Sequence, residues 1–213
     1  MTGAGRCVTP LDQAGAGHHD PAMAVRVTLL TAARCASRLG ERFDDDRTVD
    51  AAGWHEVQLA APALVPLGAA DLRYCSPTAR SRATAGALGY ATLAQPALSD
   101  CDMGRWRGRT LAEVAAMEPD AVDEWLAEPR SAPHGGEPLL GFITRIGGWL
   151  DTRPADDGTS VLAVAEPDVV RAALVYALKA PPATYWSVDV RPLSTVVLTG
   201  RPGCWNLRLD RCW

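Results

Sequence analysis

The stretch that most constrains the fold of this chain is residues 25–36, which read VRVTLLTAARCA. Its first half is short, apolar and rich in β-branched residues, a pattern typical of a buried strand. A tight loop follows and leads into a polar segment, residues 37–46. An opening strand that ends in such a loop places the loop at the carboxyl edge of an α/β sheet, where ligands usually bind.

Strands and helices alternate along the rest of the chain. We predict further strands at 71–75, 161–165, 185–190, 195–199 and 204–209. We predict a first helix that either Thr48 or Asp50 caps and that ends near residue 64. The next helix is predicted at 78–88, with Ser76 as its cap and Pro77 at the first helical position. Further helices are predicted at 110–118 and 120–128, followed by one that opens at 133–137 and ends near 150 and one that ends near 178. This alternation without an internal repeat predicts an α/β fold, a three-layer α/β/α sandwich.

Composition narrows the class of protein. The 213 residues are 47% hydrophobic and 22% charged, ordinary values for one globular domain with a substantial core. Residues 1–22 are rich in Gly and Ala and lack periodicity, so we expect a disordered N-terminal extension before a single domain at 23–213. The formal charge of −4 and the absence of a long apolar run predict neither a nucleic-acid nor a membrane partner. With no signal-peptide pattern, the expected location is cytoplasmic.

Cysteine spacing gives no sign of a zinc site. The chain has six cysteines, namely Cys7, Cys35, Cys75, Cys101, Cys204 and Cys212. None of them forms a CxxC pair. In a reducing cytosol we expect free thiols.

Three motifs carry a resemblance to a known family. Ser76-Pro77, Arg80 and Thr84-Ala85 are spaced as in the pattern Ser-Pro-x-x-Arg-Ala-x-Gln-Thr-Ala. Residues 95–114 are similar to a Pro-x-Leu-x-Glu-x-Asp-Phe-Gly-x-Trp-Glu-Gly-x-Thr-x-x-Glu insertion, and residues 133–137 to Pro-x-Gly-Gly-Glu. Over residues 25–211 the chain resembles the histidine phosphatase (phosphoglycerate mutase-like) superfamily, which implies that family's α/β/α fold.

The resemblance also implies a site without its phosphoryl-transfer groups. The family's arginine and nucleophilic histidine fall on Ala32 and Ala33, and its second histidine falls on Glu166. The family's chemistry needs a neutral histidine to attack phosphorus and arginines to spread the transferred charge. We therefore expect a degenerate member that lacks both catalytic histidines and is neither a working phosphatase nor a mutase.

Residue roles follow from the same resemblance. The family's proton donor falls on Asp100, so Asp100 and Glu166 are the predicted acid/base residues. The predicted ligand-binding residues are Arg80, which keeps a family anion-binding position, Arg34 as a displaced substitute for the missing arginine, Ala33 and Trp106.

A metal is a weaker alternative, and no cofactor is expected. The family fold brings Cys35, Cys75 and Cys101 near the pocket, where three thiolates could bind a soft metal. Small hydrophobic thiols are favoured, because the spacing gives no motif.

Structural alternatives remain for three of these residues. Arg80 could pair with Glu166 in an emptied pocket. Asp100 could cap the loop before Gly104. Glu166 could be a helix-terminal charge, with Pro167 at the first helical position.

Three functional classes stay open. The first is a pocket repurposed to bind or transform a small metabolite by non-phosphoryl acid/base chemistry, as in a lyase, isomerase or cyclase. The second is a non-catalytic pseudo-phosphatase that acts as a binding or interaction module. The third is a residual phosphatase with an unusual nucleophile such as Cys35. A small-molecule ligand is the expected partner, and a homodimer stays open.

Overall fold

A six-stranded sheet forms the centre of the computed structural model, which describes residues 24–34, 42–43, 46–154 and 158–209. The strands are β1 (Val25–Thr31), β2 (Leu72–Cys75), β3 (Leu93–Ala94), β4 (Ser160–Ala165), β5 (Thr195–Arg201) and β6 (Cys204–Arg208), in the spatial order β3-β2-β4-β1-β5-β6. The strands β1 to β4 run parallel, while β5 and β6 are antiparallel to their neighbours. The carboxyl ends of β1, β2 and β4 therefore meet at one edge.

Helices cover both faces of this sheet. They are α1 (Ala51–Leu64), α2 (Ala79–Ala87), α3 (Leu111–Met117), α4 (Pro119–Ala127), α5 (Leu139–Asp151) and α6 (Pro167–Ala177). Val25, Val27 and Leu29 pack against the buried sides of α5 and α6, while Leu30 points into a second core lined by α1 and α2. This alternation along β1 follows from the two-residue period of a strand. The result is the predicted three-layer α/β/α sandwich.

Local signals in the sequence explain where the helices begin. The Asp50 carboxylate accepts a hydrogen bond from the Gly53 amide at 2.6 Å and so caps α1. Thr110 and Glu113 form a reciprocal capping box at the start of α3. Thr78 caps α2, so the predicted cap at Ser76 is wrong by two residues.

The predicted strand at 185–190 is wrong. Pro182–Ser187 is a 3₁₀ helix, and no described strand lies between α6 and β5. The adjacent prolines 181 and 182 explain the error, because they set φ and remove two amide donors that a strand would use. Tyr185 is buried, and the Trp186 ring packs edge-on against Trp125 at 4.6 Å.

A smaller aromatic cluster lies apart from the main core. It consists of Met103, Trp106, Val114, Val122 and Trp125, with Phe43 beside it. Gly104, at φ +49, lets this segment approach the 134–136 loop closely, because a Cβ there would lie 2.3 Å from the His134 carbonyl oxygen. The two segments that carry separate family motifs, residues 95–114 and 133–137, are thus in contact at Gly104.

Two predictions concern the ends of the chain. The N-terminal extension, residues 1–22, lies outside the described residues. Cys204 is disulfide-bonded, so the expectation of free thiols is wrong for this residue. No helix in the described part of the chain is long and apolar enough to cross a bilayer.

Candidate functional site

Several of the predicted site residues meet at the carboxyl ends of β1, β2 and β4, a region that we call the sheet-edge site. Ala32–Ala33 follows β1, Arg80 lies in the first turn of α2 after β2, and Glu166 follows β4. Asp100 approaches on the loop after the 3₁₀ helix Pro96–Leu98. Adjacent parallel strands end at the same edge, which is why residues far apart in sequence converge here.

Glu166 is the centre of this site. Its side chain is almost fully buried, with 2% of the residue exposed. One carboxylate oxygen accepts hydrogen bonds from the Thr78 hydroxyl at 2.7 Å and the Ser81 hydroxyl at 3.2 Å. The other oxygen lies 3.0 Å from the Arg80 guanidinium. A buried carboxylate is stable only with such partners, and here they all come from the start of α2.

The helix that follows Glu166 does not use its side chain as a cap. Glu166 stands at the N-cap position of α6, but its carboxylate makes no capping hydrogen bond to that helix. The Glu166 carboxylate instead faces the N-terminus of α2. At the same helix end, the Ala79 amide donates a hydrogen bond to the Asp46 carboxylate at 2.6 Å. Helix N-termini favour negative charge, so two carboxylates occupy this end of α2.

Asp100 lies among other carboxylates. Burial, and then the nearby charges of Asp168 and Glu166, raise the pKa of the Asp100 carboxyl well above its usual range, and Arg80 offsets part of this rise. Its own hydrogen bond is local, from the Cys101 amide at 3.2 Å, while Gly104 is capped by Asp102 instead. The predicted alternative that Asp100 caps the loop before Gly104 is therefore wrong.

The backbone beneath Asp100 is held by Arg145. Its guanidinium donates to the carbonyls of Ala97, Ser99 and Asp100 at 2.9, 3.1 and 3.3 Å. The same group pairs with Glu137 at 2.6 Å. Arg145 therefore fixes the position of the loop that carries Asp100.

Asp168 and Tyr185 complete the rim of the site. Asp168 pairs with Arg171 at 2.6 Å, and Arg171 also donates to the Val188 carbonyl at 2.9 Å. Burial, and then the charges of Asp168 and Asp100, raise the pKa of the Tyr185 hydroxyl well above its usual range. Tyr185 therefore lies within electrostatic reach of both carboxyl groups.

The loop after β1 is buried and hydrogen-bonded. Ala32 and Ala33 are each 2% exposed. The Ala32 amide donates to the Ala165 carbonyl at 2.8 Å, and the Ala33 amide donates to the Thr84 hydroxyl at 3.0 Å. The methyl group of Ala33 packs among apolar side chains in the core below α1 and α2.

Two predicted ligand-binding residues lie elsewhere. Arg34 pairs with Glu56 of α1 at 3.0 Å and does not contribute to the contacts of Glu166. Trp106 has no exposed surface and fills the smaller aromatic cluster, so it does not face the sheet-edge site.

The cysteines give no metal centre among the residues that the structure describes. Cys75 and Cys101 are free thiols, and Cys35 lies outside the described residues. Burial raises the pKa of the Cys101 thiol, which disfavours the thiolate that a metal or a nucleophilic reaction needs. In the described ranges no group of three or more His, Cys, Asp or Glu side chains could hold a metal ion.

Two residues of the sheet-edge site, Ser81 and Arg171, were not predicted from the sequence. Ser81 follows Arg80 directly, and Thr78 and Ser81 stand at i and i+3, so both hydroxyls lie on the face of the first turn of α2. That spacing was visible, but its partner Glu166 is 85 residues away from Ser81. Arg171 pairs with Asp168 at i and i+3 on α6, a spacing that the sequence does show and that could have identified this ion pair.

Known proteins resemble this chain in sequence. A model of the histidine phosphatase superfamily (branch 1) matches residues 35–211. The bifunctional protein Rv2228c of Mycobacterium tuberculosis and an uncharacterized protein, Mb2253c, of Mycobacterium bovis are each 30% identical over 133 residues. This match covers 60% of the chain but only 36% of each relative, so it spans about a third of the curated relatives' length.

Solved structures share the fold. A chain named mycobacterial hydrolase 2 has a TM-score of 0.73 at 24% identity, over 87% of this chain and 90% of that one. Mycobacterial glucosyl-3-phosphoglycerate phosphatase Rv2419c in complex with VO3 has a TM-score of 0.71 at 23% identity, over 86% of this chain and 97% of that one. A histidine-to-alanine mutant of phosphoserine phosphatase from Entamoeba histolytica, in complex with phosphoserine, has a TM-score of 0.73 at 15% identity, over 86% and 94%. The family match over most of the chain, supported by this shared fold, shows that the chain belongs to the histidine phosphatase superfamily, branch 1.

Proposed function

We propose that this chain is a degenerate histidine phosphatase-like protein that transfers no phosphoryl group. Its sheet-edge site instead binds a small metabolite and acts on it by acid/base chemistry. The observation that carries the proposal is that the Glu166 carboxylate pairs with Arg80 and accepts hydrogen bonds from Thr78 and Ser81. These are the types of donor that would otherwise hold a phosphate.

The loss of a nucleophile supports the first part of the proposal. The family match begins at residue 35, so the loop residues Ala32 and Ala33 lie just outside it. By the resemblance, these residues stand where the family has its arginine and nucleophilic histidine. An alanine methyl group cannot attack phosphorus, and Glu166 brings negative charge to the place of the second histidine.

Charge at the site indicates the class of ligand. Asp100, Glu166 and Asp168 are the carboxyl groups of the site, and Arg80 and Arg171 are already in ion pairs with two of them. A phosphomonoester dianion would meet repulsion from this arrangement. A neutral or cationic metabolite would not, so we assign the site to that class.

Asp100 and Glu166 are suited to opposite roles. A raised pKa keeps the Asp100 carboxyl protonated to higher pH, as a general acid requires. Glu166, in its ion pair with Arg80, provides the carboxylate of a general base. Two carboxyl groups in different environments are a common arrangement for acid/base catalysis.

Hydrolysis of an aryl phosphate tests the first part. We expect wild-type protein to release no p-nitrophenol from p-nitrophenyl phosphate above the buffer rate between about pH 5 and 8, because the histidine that would be phosphorylated is absent. Arg80→Ala is the matched variant and should behave identically. Turnover that Arg80→Ala abolishes would contradict the proposal, and turnover lost only in Cys35→Ala would favour a residual phosphatase.

A panel of neutral, cationic and phosphorylated metabolites tests the second part by thermal shift. We expect stabilisation by a neutral or cationic compound. Its conversion should slow by roughly two to four orders of magnitude in Glu166→Gln, which keeps the side-chain shape. Stabilisation by phosphorylated compounds alone would contradict the assigned class.

A non-catalytic binding module is the second candidate. The observation that favours it is that Glu166 is nearly inaccessible and has all its partners within the protein. In that case Glu166→Gln should lower the melting temperature and leave any conversion of the bound compound at the buffer rate in both proteins.

A further inference from the structure

A second place in the molecule presents arginines. A cavity of about 470 Å³ opens beside the loop after β1. Its walls are Arg34, Glu56 and the apolar side chains of Leu59 and Ala60 from α1, together with the segment 191–193. We call this cavity the arginine groove, and it lies outside the set of residues that surround Glu166.

The two arginines outnumber the one acid in this groove. Arg34 lies 3.0 Å from Glu56, and both side chains are well exposed. In the described part of the chain, the Arg191 guanidinium has no hydrogen-bond or ion-pair partner. The groove therefore has a net positive charge next to an apolar wall formed by Leu59, Pro192 and Leu193.

The segment that carries Arg191 is held firmly. The buried Thr31 hydroxyl lies 2.7 Å from the Arg191 carbonyl and accepts a hydrogen bond from the Ser194 amide at 2.8 Å. The Leu193 amide donates to the Thr31 carbonyl at 3.2 Å. These bonds keep Leu193 at φ +56, a conformation that a leucine rarely adopts.

Strain of this kind persists only where surrounding contacts impose it, and it is concentrated at functional sites. Here the strained residue, Leu193, is itself a wall of the groove and lies two residues after Arg191. The backbone thus fixes the point from which the Arg191 side chain extends, beside an apolar surface.

We infer that the arginine groove binds an organic anion, in which a carboxylate, sulfonate or phosphate group meets Arg34 and Arg191 and an apolar body packs against Leu59, Pro192 and Leu193. The two arginines supply charge-assisted hydrogen bonds, and the apolar wall supplies burial. This ligand class is opposite to the one assigned to the sheet-edge site, and the inference does not depend on that assignment.

A fluorescence titration with 8-anilinonaphthalene-1-sulfonate, which joins one anionic group to an aromatic body, tests the inference. We expect saturable binding to the folded protein that weakens as NaCl rises from about 20 to 500 mM, because salt screens exposed charges. Each of Arg34→Gln and Arg191→Gln should weaken binding roughly threefold to tenfold, the effect of one partly exposed charge contact. Arg201→Gln, on β5, is the matched control and should bind like wild type.

The neutral analogue N-phenyl-1-naphthylamine has the same aromatic body but lacks the sulfonate group. It should therefore bind more weakly than the sulfonate probe. Thermal melts of each variant test whether unfolding causes a loss of probe binding. We expect Arg191→Gln to melt like wild type, because the Arg191 side chain takes no part in the bonds to Thr31. Three outcomes would each overturn the inference: no saturable binding, equal binding of the two probes, or equal binding by wild type, Arg34→Gln and Arg191→Gln.

Discussion

The sheet-edge site and the arginine groove each contain an arginine–glutamate ion pair, and the two pairs differ in their exposure to solvent. Arg80 and Glu166 lie 3.0 Å apart, and so do Arg34 and Glu56. The side chains of the first pair are 24% and 3% exposed, whereas those of the second are 44% and 39% exposed. The two pairs have equal distances but should contribute unequally to the free energy of unfolding, because the cost of breaking a pair depends on which charge remains buried without a partner.

The difference extends to ligand binding. In the sheet-edge site the arginine faces an internal carboxylate that solvent hardly reaches, so an external anion would have to displace it. In the groove the pair is open to solvent, and Arg191 adds a second guanidinium. Burial thus decides which arginines of this fold remain accessible to an anion.

The largest effect is expected from Glu166→Ala. Removal of the carboxylate leaves Arg80 and two hydroxyls without their acceptor, so the free energy of unfolding should fall by about 3 kcal/mol, the low end for one half of a buried pair. The variant should also gain stabilisation from inorganic phosphate, since Arg80, Thr78 and Ser81 are released. Urea unfolding with and without phosphate measures both effects, and Glu56→Ala is the matched control. Equal losses in the two variants would contradict the comparison.

Gly53→Ala should have the next largest effect, because it separates α1 from the loop that carries Arg34. A Cβ at Gly53 would lie 2.3 Å from the Arg34 carbonyl oxygen and 2.8 Å from a Val49 methyl group. Such overpacking should lower the free energy of unfolding by about 2 kcal/mol. Gly86→Ala in α2, where an added Cβ meets nothing within 4 Å, should raise it by about 0.5 kcal/mol. Chemical denaturation measures both, and a stable Gly53→Ala protein would disprove the close approach.

The pH dependence of stability tests the environment of Asp100. Its folded pKa lies well above the ordinary value of 3.8, so the folded state binds more protons between the two pKa values. Stability contributed by this group is therefore present below the unfolded pKa and is lost as pH rises toward the folded pKa, by about 1.4 kcal/mol per pKa unit. Asp100→Asn should remove this loss, while Asp123→Asn on α4 should not. Unfolding curves from about pH 4 to 8 measure it, and parallel curves for wild type and Asp100→Asn would contradict it.

The smallest effect is expected from Glu56→Gln. Both members of the Arg34–Glu56 pair are exposed, so the free energy of unfolding should change by less than about 0.5 kcal/mol. Loss of the acid should instead tighten binding of the sulfonate probe, because Arg34 is then free to meet it. A probe affinity that falls in this variant would contradict the charge balance of the groove.

Local sequence signals predicted most of the elements. The β-branched run of β1, the Asp50 cap of α1 and the Thr110 capping box each act within a few residues, which is why the predicted bounds of these three elements lie close to the observed ones. The segment at 185–190 failed because its aromatic residues suit a strand, while the two preceding prolines favour a turn. There the tertiary contact of Trp186 with Trp125 stabilises the helical form.

The sequence by itself determined most of the order of elements, although it missed the short strand β3 and predicted a strand at 185–190 that does not form. It also determined the family motifs and the identity of the residues at the sheet edge, including Ala33 and Glu166. Only the tertiary structure decided how those residues pair. The Glu166 side chain could have capped α6 locally, but it packs against the first turn of α2, where three donors satisfy the buried carboxylate. Arg34 was expected beside Arg80, but it turns to α1 because Gly53 admits the loop closely and Glu56 lies within reach. Such choices depend on which groups burial brings together across the chain, and no local pattern encodes that.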